Sequence, residues 1–477
     1  MNGLVIKGNS FHVNGVCYEL DDMYTAEIYS FCENNNINLD NGLPIVNEVF
    51  LNRFLPYKTI EKFLIEYRID TVTLKHANHE LIPYLYDLTK KHKIKLKSDY
   101  IYFTGFKFIS TNFNVLLSFL YLILKMVIIP FKHSNPYKGK NISLIRTPAA
   151  KKKMLAVDGI EIQYEDIKSK DSIYSFFSKK ERVLWVIKSF IKSFKALGEY
   201  RNYVRTILGN KCSISALNYY SRRIVHTQLY EFLLENIFFA EKNISISFFT
   251  GNNLDRFALI EEKIAKKYNI KVICIPHGLE YGFKLPHCFI GDLFYTTSQN
   301  AAITLTDLYN SNKFVFDYDI SVKMFSVEQQ NEESNGGYSE HNIVFFTEPR
   351  EPEVNYEIIE TLLPLLDKMN LQMNIKLHPK DLKKNYSKYF DSINFIENYD
   401  FAISNNICFA RKSTALIEAT FNNSYVAAIL ISKKDRVIYD NFPSLRDSRI
   451  KVFDTINTLF DWIKETTQII YDLNNKK

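Results

Sequence analysis

The strongest constraint on this chain is a repeated alternation. Short apolar runs are each followed by a polar turn and then by a helix-length amphipathic stretch. "IDTVTLK" (69–75) precedes the helical pattern "ELIPYLYDLTKKHKI" (80–94), and "IKLKSDY" comes next. "ISISFFTGNN" precedes "DRFALIEEKIAKKY", and "IKVICIPHG" follows. Farther on, "NIVFFTEP", "QMNIKLHP", "FAIS" and "YVAAILIS" read as strands. They alternate with the helical patterns "EVNYEIIETLLPLLDKM", "DLKKNYSKYF" and "STALIEATFNN". Strand-length apolar runs alternating with helices of period 3.6 make βαβ units, whose parallel strands are covered by helices. An α/β fold is expected.

The alternation breaks at "SVEQQNEESNGGYSE" (326–340), which is polar, acidic and glycine-containing and reads as a linker. The 477 residues are too many for one ordinary core. The expected organisation is an N-terminal Rossmann-like domain (1–325), a linker (326–341) and a C-terminal Rossmann-like domain (342–477), the two domains facing a cleft. In such sheets ligands bind beyond the carboxyl ends of the strands.

Composition narrows the partners. The net charge is +7, with 60 Lys and Arg. No zinc finger, helix-turn-helix signature or basic repeat concentrates that charge, which argues against nucleic acid. Anionic lipid or a phosphorylated substrate fits it as well. The six cysteines (Cys17, Cys32, Cys212, Cys274, Cys288, Cys408) are scattered without a CxxC pair. A reducing compartment is expected, with no disulfide framework and no metal site. The N-terminus shows no charged-then-apolar signal segment, so a cytoplasmic protein is expected. Walker A, GxGxxG, GxSxG and HExxH patterns are absent, which argues against kinases, dehydrogenases, α/β-hydrolases and zincins.

One stretch points to a membrane. "FNVLLSFLYLILKMVIIPFK" (113–132) is interrupted by Lys125 and stopped by Pro130, with Lys107, Lys132, Lys138 and Lys140 around it. A spanning helix needs about 20 apolar residues with few charges. An interfacial helix in the inner leaflet fits this run better. A helix buried in the core fits it too.

Three motifs fall at strand ends or at the helix starts that follow. "KLHPKD" sets His378 just past a strand, with Pro379 pre-set for the first turn of a helix and Lys376 and Lys380 beside it. Free N–H groups at such a helix start attract an anion, and a histidine there can donate to a phosphate or protonate it as it leaves. A surface histidine before a helix-starting proline fits the same residues. "RKSTALIEA" sets Ser413 and Thr414 at the N-cap of a short helix, where plain capping is the alternative use. Two helix starts from one half would converge on a nucleoside mono- or diphosphate. "CIPHGLEYG" sets His277 and Gly278 after a buried strand, with Glu280 close behind; His277 or Glu280 could take a proton from an acceptor hydroxyl. "TGNNLDR" adds Gly251 and Asp255 as a weaker strand-end loop, and "VDG" holds Asp158.

A His-Pro pair followed by a Ser/Thr pair that opens a short helix, over residues 245–435, resembles the bacterial lipooligosaccharide sialyltransferases and capsule polysialyltransferases of the GT-B fold. The resemblance implies that His378, Pro379, Ser413 and Thr414 hold the phosphate of a CMP-sugar, with no metal or cofactor. One departure is plain. That family carries an acid-acid-Gly triplet supplying the general base, and here Pro276-His277-Gly278 stands instead. A His-Gly with a later His-Pro is also similar to the CDP-glycerol glycerophosphotransferases. The implied function is an inverting glycosyltransferase of capsule or lipopolysaccharide O-antigen synthesis. It would transfer a sialic-acid-like nonulosonic acid from a CMP donor to a lipid-linked or oligosaccharide acceptor at the cytoplasmic membrane surface. The alternatives are a CDP-polyol phosphotransferase and a non-catalytic capsule assembly scaffold.

Overall fold

The computed structural model describes residues 2–20, 42–98, 104–133, 138–146, 148–165, 167, 172–241, 246–276, 278–327, 342–349 and 351–474. The apolar runs pair into three sheets. The chain divides into two compact units, Met1–His277 with Phe283–Phe294, and Gly278–Gly282 with Tyr295–Lys477.

The first unit opens with a mixed sheet of β1 (Asn2–Gly8), β2 (Ser10–Val13), β3 (Val16–Glu19), β4 (Ile69–Ala77) and β5 (Lys95–Ser98), in the order β3-β2-β1-β4-β5. Pairing is parallel from β1 to β4 and from β4 to β5, as the βαβ pattern demands. It is antiparallel from β1 to β2 and from β2 to β3. Between β2 and β3 the reason lies in Asn14 and Gly15, whose φ values are both positive, at 51° and 81°. Two left-handed residues make the tight turn whose twist matches a hairpin. Helices α1 (Leu55–Glu66) and α2 (Ile82–Lys91) precede and follow β4.

A long helix, α3 (Thr104–Ile128), leads to the second sheet. Its parallel strands are β6 (Asn141–Ile145), β7 (Ile160–Tyr164), β8 (Ser247–Thr250), β9 (Lys271–Cys274) and β10 (Leu293–Tyr295), ordered β7-β6-β8-β9-β10. Chain order reverses between β6 and β8, so the switch point of this doubly wound sheet lies there. Four helices accompany it: α4 (Pro148–Met154), α5 (Lys179–Leu208), α6 (Asn210–Glu241) and α7 (Arg256–Lys267). Helix α5 starts on a capping box, in which Ser178 and Glu181 satisfy each other's backbone N–H.

The second unit holds α8 (Gln299–Tyr309), the short strand β11 (Phe314–Val315), α9 (Tyr318–Phe325) and a six-stranded parallel sheet. Its strands are β12 (Ile343–Phe346), β13 (Met373–Lys376), β14 (Asn394–Phe395), β15 (Ile407–Ala410), β16 (Tyr425–Ile429) and β17 (Ile450–Phe453). They are ordered β14-β13-β12-β15-β16-β17. Counted within the unit this is 3-2-1-4-5-6, the dinucleotide-fold order, with its switch point between β12 and β15. Helices α10 (Pro352–Asp367), α11 (Tyr399–Ile403), α12 (Ala415–Thr420), α13 (Lys433–Asn441) and α14 (Ile456–Asn474) connect and cover the strands. The central strands β12, β15 and β16 are almost wholly apolar because both faces are covered; Phe345 and Phe409 stack across neighbouring strands with ring centroids 5.0 Å apart. The expected α/β architecture with Rossmann-like sheets therefore holds.

Two local expectations fail. "FAIS" is not a strand: Asn398 caps it and residues 399–403 form α11, while the strand is the next apolar run, Ile407–Ala410. "DLKKNYSKYF" is not an α-helix: residues 378–381 form a turn, and a 3-10 segment, Lys383–Tyr389, kinks at Tyr386. Of the expected linker, residues 328–341 lie outside the described residues.

Candidate functional site

Register brings three strand ends of the second unit level. Phe346 of β12 pairs with Lys376 of β13 on one side and Ala410 of β15 on the other. The residues just beyond, 347 to 349, 377 to 381 and 411 to 414, share one edge. Adjacent strands lie about 5 Å apart, so the outer two ends are separated by about 10 Å. This edge flanks the switch point.

His378 is held there by its backbone. Its N–H donates to Thr347 Oγ1 at 3.0 Å, and its carbonyl accepts from Asp381 N–H at 2.8 Å. The ring Nδ1 accepts from Lys380 N–H at 3.1 Å. With Nδ1 an acceptor, the neutral ring carries its proton on Nε2, a donor toward an incoming ligand. Pro379 is exposed in the turn and starts no helix. The anion site expected from a helix N-terminus at Pro379 is therefore not built. Lys376 donates its ammonium to the Glu397 carbonyl.

Across the switch point the chain supplies cations. Arg411 is fully buried, with Nε and Nη2 on Asp435 at 2.5 and 3.0 Å. Its Nη1 donates to the Glu351 carbonyl at 2.9 Å and to Asn355 Oδ1 at 3.2 Å. Lys412 reaches the same Asp435 at 2.6 Å. Glu351 sits in the left-handed region at φ 49°, held by Arg411 and by Lys434 at 2.9 Å. Such a conformation costs a residue with a β-carbon about 1–2 kcal/mol. Asn355 also donates to Tyr386 Oη at 2.9 Å, and Tyr386 donates to Asp381 at 2.6 Å. One hydrogen-bond chain thus runs from Arg411 to the turn that carries His378. Ser413 Oγ accepts from Ala415 N–H at 3.2 Å, and Thr414, the exposed N-cap residue of α12, makes no side-chain cap bond. Helix α12 is only six residues long, so its dipole adds little, and the cations beside Ser413, Arg411 and Lys412, are engaged by Asp435 and Glu351.

The "HGLEYG" segment divides differently from expectation. His277 lies outside the described residues. Gly278–Gly282 count with the second unit rather than with the N-terminal half. Glu280 is fully buried and accepts from Thr297 N–H at 2.7 Å, Thr297 Oγ1 at 2.8 Å and Ser444 Oγ at 2.8 Å. Burial raises its pKa, and these donors offset part of the rise. Gly282 donates to the Asn441 carbonyl at 2.7 Å, where a Cβ would come within 3.1 Å of that oxygen. Glu280 is thus a clamp enclosed by donors, out of reach of an acceptor hydroxyl in this conformation.

Gly251 and Asp255 follow β8 in the first unit. A Cβ on Gly251 would stand 3.3 Å from Ala150 Cβ, so the missing side chain lets α4 pack against the loop. Asp255 caps α7 by accepting from Ala258 N–H at 2.8 Å, and Arg146 lies 3.7 Å from its other oxygen. Around Arg146 is a cluster that the sequence reading passed over. Arg146 lies 3.8 Å from the Phe257 ring centre and 3.7 Å from Glu261. Glu261 is fully buried and accepts from Tyr230, Thr250 and Asn252. His226 and Glu165 pair at 2.7 Å. Asp158 precedes β7, at the opposite sheet edge from these strand-end residues.

Burial is the largest influence on Glu261 and lifts its pKa to about 7, with Arg146 and the three donors pulling the other way. A raised carboxyl pKa means that the folded state holds a proton that the unfolded chain has released. Its stabilising effect is complete below the unfolded value and is lost as pH rises toward 7. The unfolding free energy should therefore fall by about 3 kcal/mol between pH 4.5 and pH 7.5 from this residue. Urea melts across that range should show the decline, and Glu261→Gln should flatten it. An unchanged slope in that variant would refute the assignment.

Of the sequence-derived residues, the second unit brings His378, Pro379, Ser413 and Thr414 to one sheet edge. Lys376 ends its strand there with its ammonium engaged. Thr347, Arg411, Lys412, Asn355 and Asp435 were not anticipated. Only "RK" at the head of "RKSTALIEA" signalled any of them, because Asp435 is 24 positions from Arg411 in the chain.

No family profile matches the chain, and no curated protein sequence does. Among solved structures, it is similar to a Staphylococcus aureus MnaA–UDP co-structure at 13% identity and TM-score 0.36, covering 68% of this chain and 87% of that one. Acinetobacter baumannii MurG matches at 11% identity and TM-score 0.35, over 71% of this chain and 94% of that one. A UDP-N-acetylglucosamine 2-epimerase from Rickettsia bellii matches at 13% identity and TM-score 0.31, over 62% and 79%.

Proposed function

We propose that the chain is an inverting glycosyltransferase of GT-B type, with the second unit as its nucleotide-sugar site. One observation carries this reading: His378, with Nε2 free to donate, shares the switch-point edge of a 3-2-1-4-5-6 sheet with Thr347, Arg411, Lys412 and Ser413. A departing phosphate needs donors and positive charge at that edge. His378 donates to the phosphate as the sugar–oxygen bond breaks, and Ser413 and Thr414 offer hydroxyls to it. The acceptor oxygen attacks the anomeric carbon from the opposite side, and its proton passes to a base. With Glu280 enclosed, His277 is the candidate for that base.

The His-Pro and Ser-Thr pairs favour a CMP-activated nonulosonic acid as donor. They favour a glycan of capsule or lipopolysaccharide type, lipid-linked or free, as acceptor at the cytoplasmic membrane surface. Pro276-His277-Gly278, where an acid-acid-Gly triplet would stand, favours a second reading, the transfer of a polyol phosphate from a CDP donor.

A thermal-shift series with CMP, CDP, UDP and GDP separates these. Stabilisation by CMP above the others is the expected result. A stronger shift with CDP moves the assignment to the polyol-phosphate reading. A preference for UDP or GDP removes both cytidine donors, and no shift with any nucleotide leaves a non-catalytic scaffold.

A further inference from the structure

Helix α3 carries apolar residues on both its inner and its outer face. Among its described residues, the stripe turned into the protein includes Thr111, Asn114, Val115, Leu122 and Met126. Asn114 donates to Asn218 Oδ1 and Ser221 Oγ of α6, both at 3.2 Å. The opposite stripe is apolar and exposed: Phe106, Ile109, Phe113, Leu117, Leu124 and Ile128 are each roughly half or more accessible. A helix on a water-facing surface shows the reverse, with its polar side outward. Small polar residues bonded between helices, with apolar side chains outward, are the arrangement used against lipid.

The exposed face continues onto α5. Phe119 of α3 meets Phe190 of α5 with ring centroids 4.4 Å apart, and Phe190 meets Phe194 at 5.1 Å. Leu184, Ile187, Ile191 and Phe194 are exposed on that helix. The charge along the two stretches is mostly positive. From Thr104 to Lys132 there are three lysines (Lys107, Lys125, Lys132) and no acidic residue. From Lys179 to Lys195, Lys179, Lys180, Lys188, Lys192 and Lys195 outnumber the single acid, Glu181.

We infer that the outer face of α3, joined by the adjoining face of α5, lies in the plane of an anionic bilayer leaflet, with its apolar side chains among the acyl chains and its lysines at the headgroups. The apolar stretch of α3, Phe106–Ile128, is long enough to cross a bilayer. Yet it is packed lengthwise on α5 and α6, and α5 carries lysines along its length, so an in-plane position suits it and a crossing does not. Neighbouring lysines suit anionic headgroups and would repel a second copy of the same surface. The inference stands apart from the proposed chemistry, because no residue of the nucleotide edge belongs to it.

The test is flotation of the full chain with vesicles of phosphatidylcholine alone and of phosphatidylcholine mixed with phosphatidylglycerol. Binding to the mixed vesicles, weaker in high salt and with phosphatidylcholine alone, is expected. The triple variant Ile109→Asp, Leu117→Asp, Leu124→Asp should lose at least about tenfold in partitioning, since each charge would enter the apolar boundary. These side chains already face solvent, so its circular dichroism and melting should match the parent. Ile65→Asp, which alters an exposed apolar residue on α1, should bind as the parent does. Alkaline carbonate should release the bound protein. Four results overturn the inference: no vesicle binding, equal binding by the triple variant, resistance to carbonate, or a lipid-free dimer that the triple variant disperses.

Discussion

His378→Ala should lower donor turnover by about 10²- to 10⁴-fold, the range for a lost proton donor or phosphate contact. Nothing structural hangs on the imidazole. The bond to Thr347 is made by the backbone N–H of residue 378 and survives the substitution. The Lys380 N–H loses Nδ1 but lies at an exposed residue, where water replaces it. Melting should therefore stay within about 1 kcal/mol of the parent. His378→Asn can accept from Lys380 and offer an amide donor, but it cannot release a proton. It should recover part of the rate if the role is a hydrogen bond, and none if the role is proton transfer. The readout is release of CMP from a CMP-sugar, to water and to a glycan acceptor. A near-parental rate in His378→Ala would remove this histidine from the site.

The largest effect on stability should come from Asp435→Ala. The carboxylate is fully buried and answers both Arg411 and Lys412, whose side chains are themselves nearly inaccessible. Taking it away leaves two buried cations without their shared partner. Breaking a buried pair from one side costs about 3–5 kcal/mol, on the order of 10 °C in melting temperature for a unit of this size. The loss should carry to the His378 turn through Asn355 and Tyr386, so nucleotide-induced stabilisation should shrink as well. Replacing all three together, Arg411→Met, Lys412→Met and Asp435→Leu, should cost far less than Asp435→Ala, because no unpaired buried charge then remains among them. A single-variant loss under about 1 kcal/mol would show that water or a rearranged Glu351 takes over the charge.

Much of the architecture was written in local pattern. The runs ending at Phe346, Ala410 and Ile429 are almost wholly apolar segments bounded by turns, and a strand covered on both faces needs nothing else. Where the pattern was short, neighbours decided. "FAIS" and "ICFA" are both short apolar runs, and the Asn398 cap accompanies a helix at the first. "DLKKNYSKYF" has helix-forming residues, but Tyr386 is drawn to Asp381 and Asn355 and bends the segment. The hairpin at Asn14-Gly15 carried its own signal and was passed over in favour of an all-parallel reading.

The sequence by itself determined the strand-end placement of the His-Pro and Ser-Thr pairs, because a buried run followed by turn residues fixes where a strand stops. It also determined that an apolar helix lies in this part of the chain, although the helix runs Thr104–Ile128 rather than over 113–132. Tertiary structure alone decided which charges meet. Arg411 follows β15, Asn355 lies at the start of α10 after β12 and Asp435 at the start of α13 after β16, and only the crossover order β12-β15-β16 lays those three strand ends side by side. It alone enclosed Glu280 among Thr297 and Ser444, 17 and 164 positions away. It alone turned Asn114 inward and Leu117 outward on α3, since a helix of mixed residues has no inner face until something packs against it. Burial and charge pairing depend on distances in space, and a chain's periodicity fixes those only within an element.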